Sequence, residues 1–414
     1  MNTELMNPER FSCESDSASA AGGMPPQAAI IAGLLRKLRT GSVYVEFPNG
    51  GGELFGHDGS PVMLRLKDWS VFDAVLKSGG IGFAQAYIDG MWEASDLSRL
   101  LEIMVRNRQA LESVIYGTWW GNIAYRFRHL FNRNSRKGSR KNIHAHYDIG
   151  NDFYREWLDA SMTYSSALFG GDHSQSLGDA QAAKYRRVLD QLHVEHGARV
   201  LEIGCGWGGL AETAAFERGA HVTGLTLSAE QLQYARERMD GAGLAGRTSL
   251  NLCDYRDMRG EFDAIASIEM FEAVGEAYWP DYFGCISRNL REGGRACIQS
   301  IVIDDALFER YRKGTDFIQQ YIFPGGMLPS KSAFTKAAAR HGLRTVDAFA
   351  FGLDYAHTLK VWKRNFHERM QAVRAQGFDE RFVRTWDFYF SYCEAGFRAG
   401  SIDVMQFTLV KDGE

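Results

Sequence analysis

No apolar run in the 414 residues approaches the roughly 18 needed to span a bilayer, so any membrane contact is expected to be peripheral. The six cysteines, at 13, 205, 253, 285, 297 and 393, contain no C-x-x-C pair. They signal neither a disulfide frame nor a zinc site, and fit reduced thiols in a cytosolic compartment. No cluster has metal-ligand spacing, and a net charge of −4 gives no reason to expect nucleic acid as a partner. The opening MNTELMNPERFSCESDSASAAGGMPPQ lacks the charged-then-apolar order of a secretory signal. It is small and polar, so disorder is expected over residues 1–28. No internal repeat is evident.

What is present is ordinary globular composition, long enough for two domains and a sizeable core. Residues 29–115 read as a small α+β unit. SVYVEF and PVMLRL are its strands, with the Gly-rich NGGGELFGHDGS partly between them as a turn. Leu97, Leu100, Leu101, Met104 and Val105 recur at helical spacing. In the linker, 116–142, Tyr116, Trp119, Trp120, Ile123, Phe127, Leu130 and Phe131 share one helical face, overlapped and followed by arginines and lysines. That pattern suits either an interfacial helix on an anionic bilayer or a helix packed between domains. Across 143–414 strands and helices come to alternate: ARVLEIG, HVTGLTLS, TSLNLCDY, FDAIASIEMF and GRACIQSIVI are strands with helices between most of them. This predicts an α/β, Rossmann-like, seven-stranded and mostly parallel sheet, completed by LRTVDAFAFG and IDVMQFTLV, the last as a hairpin partner. The segment 304–330 is an insertion at a strand end, where such folds place substrate pockets.

LEIGCGWGG puts Gly204, Gly206 and Gly209 between a strand and a helix. The match to G-x-G-x-x-G is weak alone and fits a nicotinamide enzyme as well. Glu202, two residues before the first glycine, suits the cationic amino and sulfonium groups of S-adenosylmethionine and would repel a pyrophosphate. The next strand ends GLTLSAEQ with no acid to bind an NAD ribose. Thr226, Ser228 and Gln231 there could meet ribose or methionine groups, or simply cap the helix. The predicted site is therefore for S-adenosylmethionine. The stretch EMFEAVGE after the fourth strand disfavours an amino methyltransferase of nucleic-acid bases.

The chain is similar to the cyclopropane-fatty-acyl-phospholipid synthase family. HYDIGNDFYREWLDASMTYSSALF, VLEIGCGWGG, GLTLSAEQ, SIEMFEAVG, DFIQQYIFPGGMLPS and DYAHTLKVW carry the resemblance in order, and GIGFAQAYIDGMWE extends it upstream. Mycolic-acid cyclopropane synthases match the catalytic half. The resemblance implies a class I S-adenosylmethionine-dependent methyltransferase domain behind an N-terminal lipid-binding domain. The enzyme would move a methyl to the cis double bond of a phospholipid acyl chain and lose a proton to close a cyclopropane. It would be a homodimer at the cytoplasmic face of an anionic membrane. Tyr164, Ser165, the loop from Leu201 through Trp207 and Gly208 to Gly209, Thr226 to Gln231, and Asp254, Tyr255 and Arg256 would meet the cofactor. A bicarbonate ion would act as base, held by Ser166, Glu272, Gln299, Tyr355 and the backbone of Ile301, and Cys393 matches a cysteine once proposed as catalytic. The family usually has Cys at Ser166 and His at Gln299, so a relative forming a methyl-branched or methylene chain would share nearly every motif.

An alkene is a weak nucleophile, so catalysis must come from alignment in a dry pocket and from stabilising a carbocation. Phe271, Tyr311, Phe317, Tyr321, Phe323 and Tyr355 are the candidate aromatic faces, with core packing expected for about half. Glu272 is expected to hold the base, whereas Glu276 and Glu269 read as surface acids at a helix start. Cys393 reads as a buried structural thiol.

Overall fold

The computed structural model describes residues 24–115 and 149–412. The linker at 116–142 and most of the segment expected to be disordered lie outside the described residues. Helix α1 (Pro26–Leu35) begins inside that segment, with a proline in its first turn. The helix forms because PQAAIIAGLL carries no charge and buries Ala28, Ile31, Ala32 and Leu35. A four-stranded sheet follows, in the order β2-β1-β3-β4, from β1 (Ser42–Glu46), β2 (Gly52–Gly56), β3 (Val62–Leu66) and β4 (Trp92–Ala94). Strand β2 corrects the sequence reading, in which its residues belong to a turn. Helix α2 (Ser70–Ile88) is interrupted at Gly79, and α3 (Leu97–Arg106) is capped by Asp96, which accepts from the Arg99 N–H. Helix α4 (Arg108–Ile115) closes the unit.

The larger unit opens with α5 (Asn151–Arg155) and α6 (Leu177–Gln191). Then β5 (Arg199–Ile203), α7 (Gly209–Glu217), β6 (His221–Thr226), α8 (Ala229–Gly241), β7 (Thr248–Leu252) and β8 (Phe262–Ile268) alternate. Helix α9 (Trp279–Asn289) leads to β9 (Leu290–Ile303). After it come α10 (Asp305–Tyr311), α11 (Lys331–Ala339), β10 (Leu343–Ala350), α12 (Gly352–Glu368), α13 (Met370–Ala375), α14 (Glu380–Arg398) and β11 (Ile402–Lys411). The sheet has seven strands in the order β10-β11-β9-β8-β5-β6-β7. From β9 to β7 all pairs are parallel, and β11 runs antiparallel between β9 and β10. Strand β5 buries Val200, Leu201, Glu202 and Ile203 in succession, as a strand covered on both faces must. The carboxyl ends of β5, β8 and β9 therefore open onto one crevice. The insertion supplies α10 and a single π-helical turn, Ile318–Ile322.

One apolar cluster spans both units. Val43, Leu64 and Trp92 belong to the same apolar cluster as Phe153, Trp157 and Trp386. Helix α14 ties them with polar bonds: Tyr87 donates to Asp387 at 2.5 Å, and Ser98 to Glu394 at 2.7 Å. Arg384 donates to the carbonyls of Tyr87 and Trp92.

Candidate active site

The turn after β5 is shaped to receive a ligand. Gly204 and Gly206 have φ of 88° and 51°. A Cβ at Gly204 would come within 2.8 Å of Met270, whereas one at Gly206 would meet none of the described residues within 4 Å. Backbone and open space thus face each other at Gly206. Glu202 is buried beneath this turn, and its Oε2 has no partner among the described residues. Burial pushes its carboxyl up to about 8, against Arg238, the Ala211 N–H and Lys184. An orphaned buried carboxyl oxygen beside a glycine turn fits the cationic amino group of S-adenosylmethionine.

The neighbouring polar residues mostly bond to one another. Ser228 caps α8, accepting from the Gln231 N–H at 3.2 Å, while Thr226 donates to Gln231 Oε1 at 3.1 Å. Asp254 takes the Arg256 guanidinium on both oxygens, at 2.8 and 2.6 Å. That guanidinium lies near the rings of Tyr255 and Tyr278. Trp207 donates to Asn151 at 2.7 Å, so the glycine turn is tied to α5. Ser165 is held from α6: its Oγ accepts from Lys184 Nζ, and its carbonyl from Gln181. From α12, Thr358 accepts the Ala167 N–H, and Asp354 accepts those of Phe169 and Gly170.

At the ends of β8 and β9 the structure overturns the expected role of Glu269. It is no surface acid. Its Oε1 accepts from the Ser166 N–H and from Gln299 Nε2, both at 2.8 Å, and its Oε2 from the Tyr355 hydroxyl at 2.6 Å. Its backbone φ is +50°, an uncommon region for a non-glycine residue. Burial pushes the Glu269 carboxyl up, and Tyr355, Lys184, the Ser166 N–H and Gln299 oppose it. Gln299 is in turn fixed by a relay, since its Oε1 accepts from Gln406, whose Oε1 accepts from Arg187. Ser166 contributes its backbone rather than its hydroxyl, which donates to the Ala167 carbonyl.

Glu272 accepts the Ile301 N–H on Oε1, and its buried Oε2 has no partner among the described residues. Burial, reinforced by Glu269, pushes its carboxyl up to about 8. Of the donors expected to hold bicarbonate, Gln299, Tyr355 and the Ile301 N–H therefore bond to the chain's own carboxyls, and the Ser166 hydroxyl to a carbonyl. A further anion there would face the Glu269 carboxylate, to which Gln299, Tyr355 and the Ser166 N–H already donate. The residues present do not fit a bicarbonate ion.

Both glutamates line a cavity of about 750 Å³, and their remaining exposure is to its interior. Its wall is predominantly apolar and comes from both units: Leu64, Phe72, Leu101 and Met104 on one side, Tyr164, Phe323, Tyr355 and Tyr389 on the other. Of the six aromatic candidates, Tyr311, Phe317, Phe323 and Tyr355 line it. Phe271 instead packs in the sheet core against Trp279, and Tyr321 stacks on Phe317 and bonds to Gln85. Cys393 also lines the cavity, with its thiol pushed up by burial and Asp316. It is a poor nucleophile. Glu276 is paired with Arg312 at the surface.

Sequence reasoning missed Glu269, Lys184, Gln406 and Arg187. A strand-terminal acid on a parallel sheet was the available signal for the first; nothing local marks the others.

The mycolic acid cyclopropane synthetase family matches residues 134–407. The tuberculostearic acid methyltransferase of Mycobacterium tuberculosis is 41% identical over 81% of this chain and 80% of its own. The cyclopropane-fatty-acyl-phospholipid synthase of Escherichia coli is 34% identical over 84% and 87%. A solved mycolic acid cyclopropane synthase, complexed with SAH and CTAB, superposes with a TM-score of 0.61 at 30% identity, over 65% of this chain and 97% of that one. With the glycine turn, the orphaned Glu202 oxygen and the sheet order in agreement, the chain belongs to the mycolic acid cyclopropane synthetase family and is an S-adenosylmethionine-dependent methyltransferase.

Proposed function

We propose that the chain modifies the unsaturated acyl chain of a membrane phospholipid, adding one carbon at the cis double bond to form a cyclopropane. The observation that carries this reading is the apolar cavity ending at Glu269, Glu272 and Tyr355. S-adenosylmethionine, when bound, would supply an electrophilic methyl group, the pair of its carbon–sulfur bond staying on the sulfur. The cavity excludes water and aligns the alkene, whose electron pair forms the new carbon–carbon bond. Positive charge then develops on the second alkene carbon, where the faces of Tyr164, Phe323 and Tyr355 are at hand. Glu269 takes a proton from the added carbon, and the electron pair of that C–H bond closes the ring. Its three donors keep a carboxylate in place and lower its tendency to form an ester with the cation. Glu272, with its carboxyl pushed up to about 8, is neutral near pH 7 and leaves only one negative charge in the pocket.

A lipid must reach this cavity from a bilayer. The reading therefore includes the anionic membrane surface and the peripheral, cytoplasmic location that the family resemblance implies, and the homodimer with them. Among the described residues no helix is long and apolar enough to cross a membrane. One observation carries a second reading, a methylated chain without ring closure: the relative with 41% identity is a tuberculostearic acid methyltransferase. Expression in a host without such enzymes, followed by mass spectrometry and proton NMR of its lipids, tests both. A gain of one methylene with ring protons upfield of the methyls supports the ring. A new branch supports the second reading, and unchanged lipids from a folded protein refute both.

A further inference from the structure

Lys184, on α6, is fully buried, and no carboxylate lies within ion-pair distance of it among the described residues. Its Nζ donates to Ser165 Oγ at 2.5 Å and to Gln181 Oε1 at 2.6 Å, and sits 4.6 Å from the Tyr185 ring centroid. Burying an ammonium on neutral partners alone is costly, and an apolar residue could fill the same volume. Its position explains the cost. Ser165 adjoins Ser166, whose N–H holds Glu269, and Gln181 also donates to the Ser165 carbonyl. Lys184 thus fixes from behind the turn that presents a donor to Glu269.

We propose that Lys184 is a positioning residue for the transfer reaction, a buried cation that holds the Ser165–Ser166 turn against Glu269 and helps keep that carboxylate charged. The inference rests on the reading of Glu269 as the base. By accepting from Lys184, Ser165 Oγ keeps its own proton for the cofactor contact that the family resemblance implies. Carboxyls face the ammonium from three other elements: Glu269 after β8, Glu202 on β5 and Asp159 after α5. Glu202 also feels Arg238 of α8, and Glu269 is met by Tyr355 of α12 and by Glu272. Burial pulls the ammonium down toward neutrality, and the three carboxyls oppose it.

The test is kcat/KM against pH on vesicles of unsaturated phosphatidylethanolamine and phosphatidylglycerol, with S-adenosylmethionine binding measured separately by calorimetry. Lys184→Met removes charge and donor at similar length, while Lys184→Gln keeps a donor. Both are expected to move the acidic limb of the profile up by about one pH unit. Activity near pH 7 falls about tenfold and recovers on the alkaline side. Cofactor affinity should fall several-fold in Lys184→Met and less in Lys184→Gln. A limb that stays in place in both folded variants, or a loss equal at every pH, overturns the assignment. Glu269→Gln separates the two levels of the argument. If it leaves the parent limb intact, the base reading fails and takes this inference with it. If it abolishes the limb while both Lys184 variants leave it unmoved, the Lys184 assignment alone fails.

Discussion

The cofactor side and the acyl side of the site are built by opposite means. Around the glycine turn, Ser228 bonds to a residue three positions away, Thr226 to one five away and Asp254 to one two away. Glu202 is left with a bare oxygen. Around Glu269 the partners lie 103, 30 and 86 positions away, and both oxygens are engaged. A pocket made of local turns can wait for a charged visitor. A carboxylate that must act on a hydrocarbon has no visitor to satisfy it, so distant parts of the chain converge on it.

If that contrast is right, the largest loss falls at the convergent acid. Glu269→Gln should lower kcat by about 10²- to 10⁴-fold, the usual worth of a positioned base, while calorimetric affinity for S-adenosylmethionine stays within a few-fold. Next comes Tyr355→Phe, which removes one of three donors. The expected loss is about tenfold near pH 7, with the acidic limb moved upward, since a carboxylate with fewer donors holds its proton to higher pH.

Glu272→Gln should cost less than either, because glutamine resembles the protonated acid. The pKa of about 8 lies above the ordinary carboxyl value of 4.5. Between those values the unfolded chain has released a proton that the folded chain keeps, so the parent loses stability as pH rises. The melting temperature of Glu272→Gln should therefore gain on the parent from about pH 4.5 to 8, and show no such trend below. Turnover lower than in Glu269→Gln would reverse the order of the two acids. The smallest effect belongs to the local side: Ser228→Ala should cost about 1 kcal/mol of stability through the lost helix cap. Cofactor affinity should hardly change; a fall of tenfold or more would make Ser228 a ligand.

The same contrast explains what could be read in advance. The seven-stranded sheet follows from runs of apolar residues and their spacing, and the glycine turn from three residues next to a strand. Ser228 as a cap was equally visible, because its partner is three residues on. Strand β2 was hidden by glycines that read as a turn, although pairing with β1 overrides them. Glu269 and Glu272 stand three apart in one stretch, and nothing in their neighbours tells which is ringed by donors. That depends on how β9, α12 and the loop after α5 meet at the end of β8. Lys184 was invisible for a related reason: a lysine on an amphipathic helix is ordinarily at the surface.

The continuous core between the small and large units has a consequence for how the molecule comes apart. With Tyr87 tied to Asp387 and Trp92 in one cluster with Trp386, the small unit shares its hydrophobic interior with the large one, which keeps two further clusters around its own sheet. Heat or denaturant should then unravel the small unit together with α14 and the cluster around it. Deleting the first hundred residues would breach the wall of the acyl chamber and uncover one flank of α14 at a stroke.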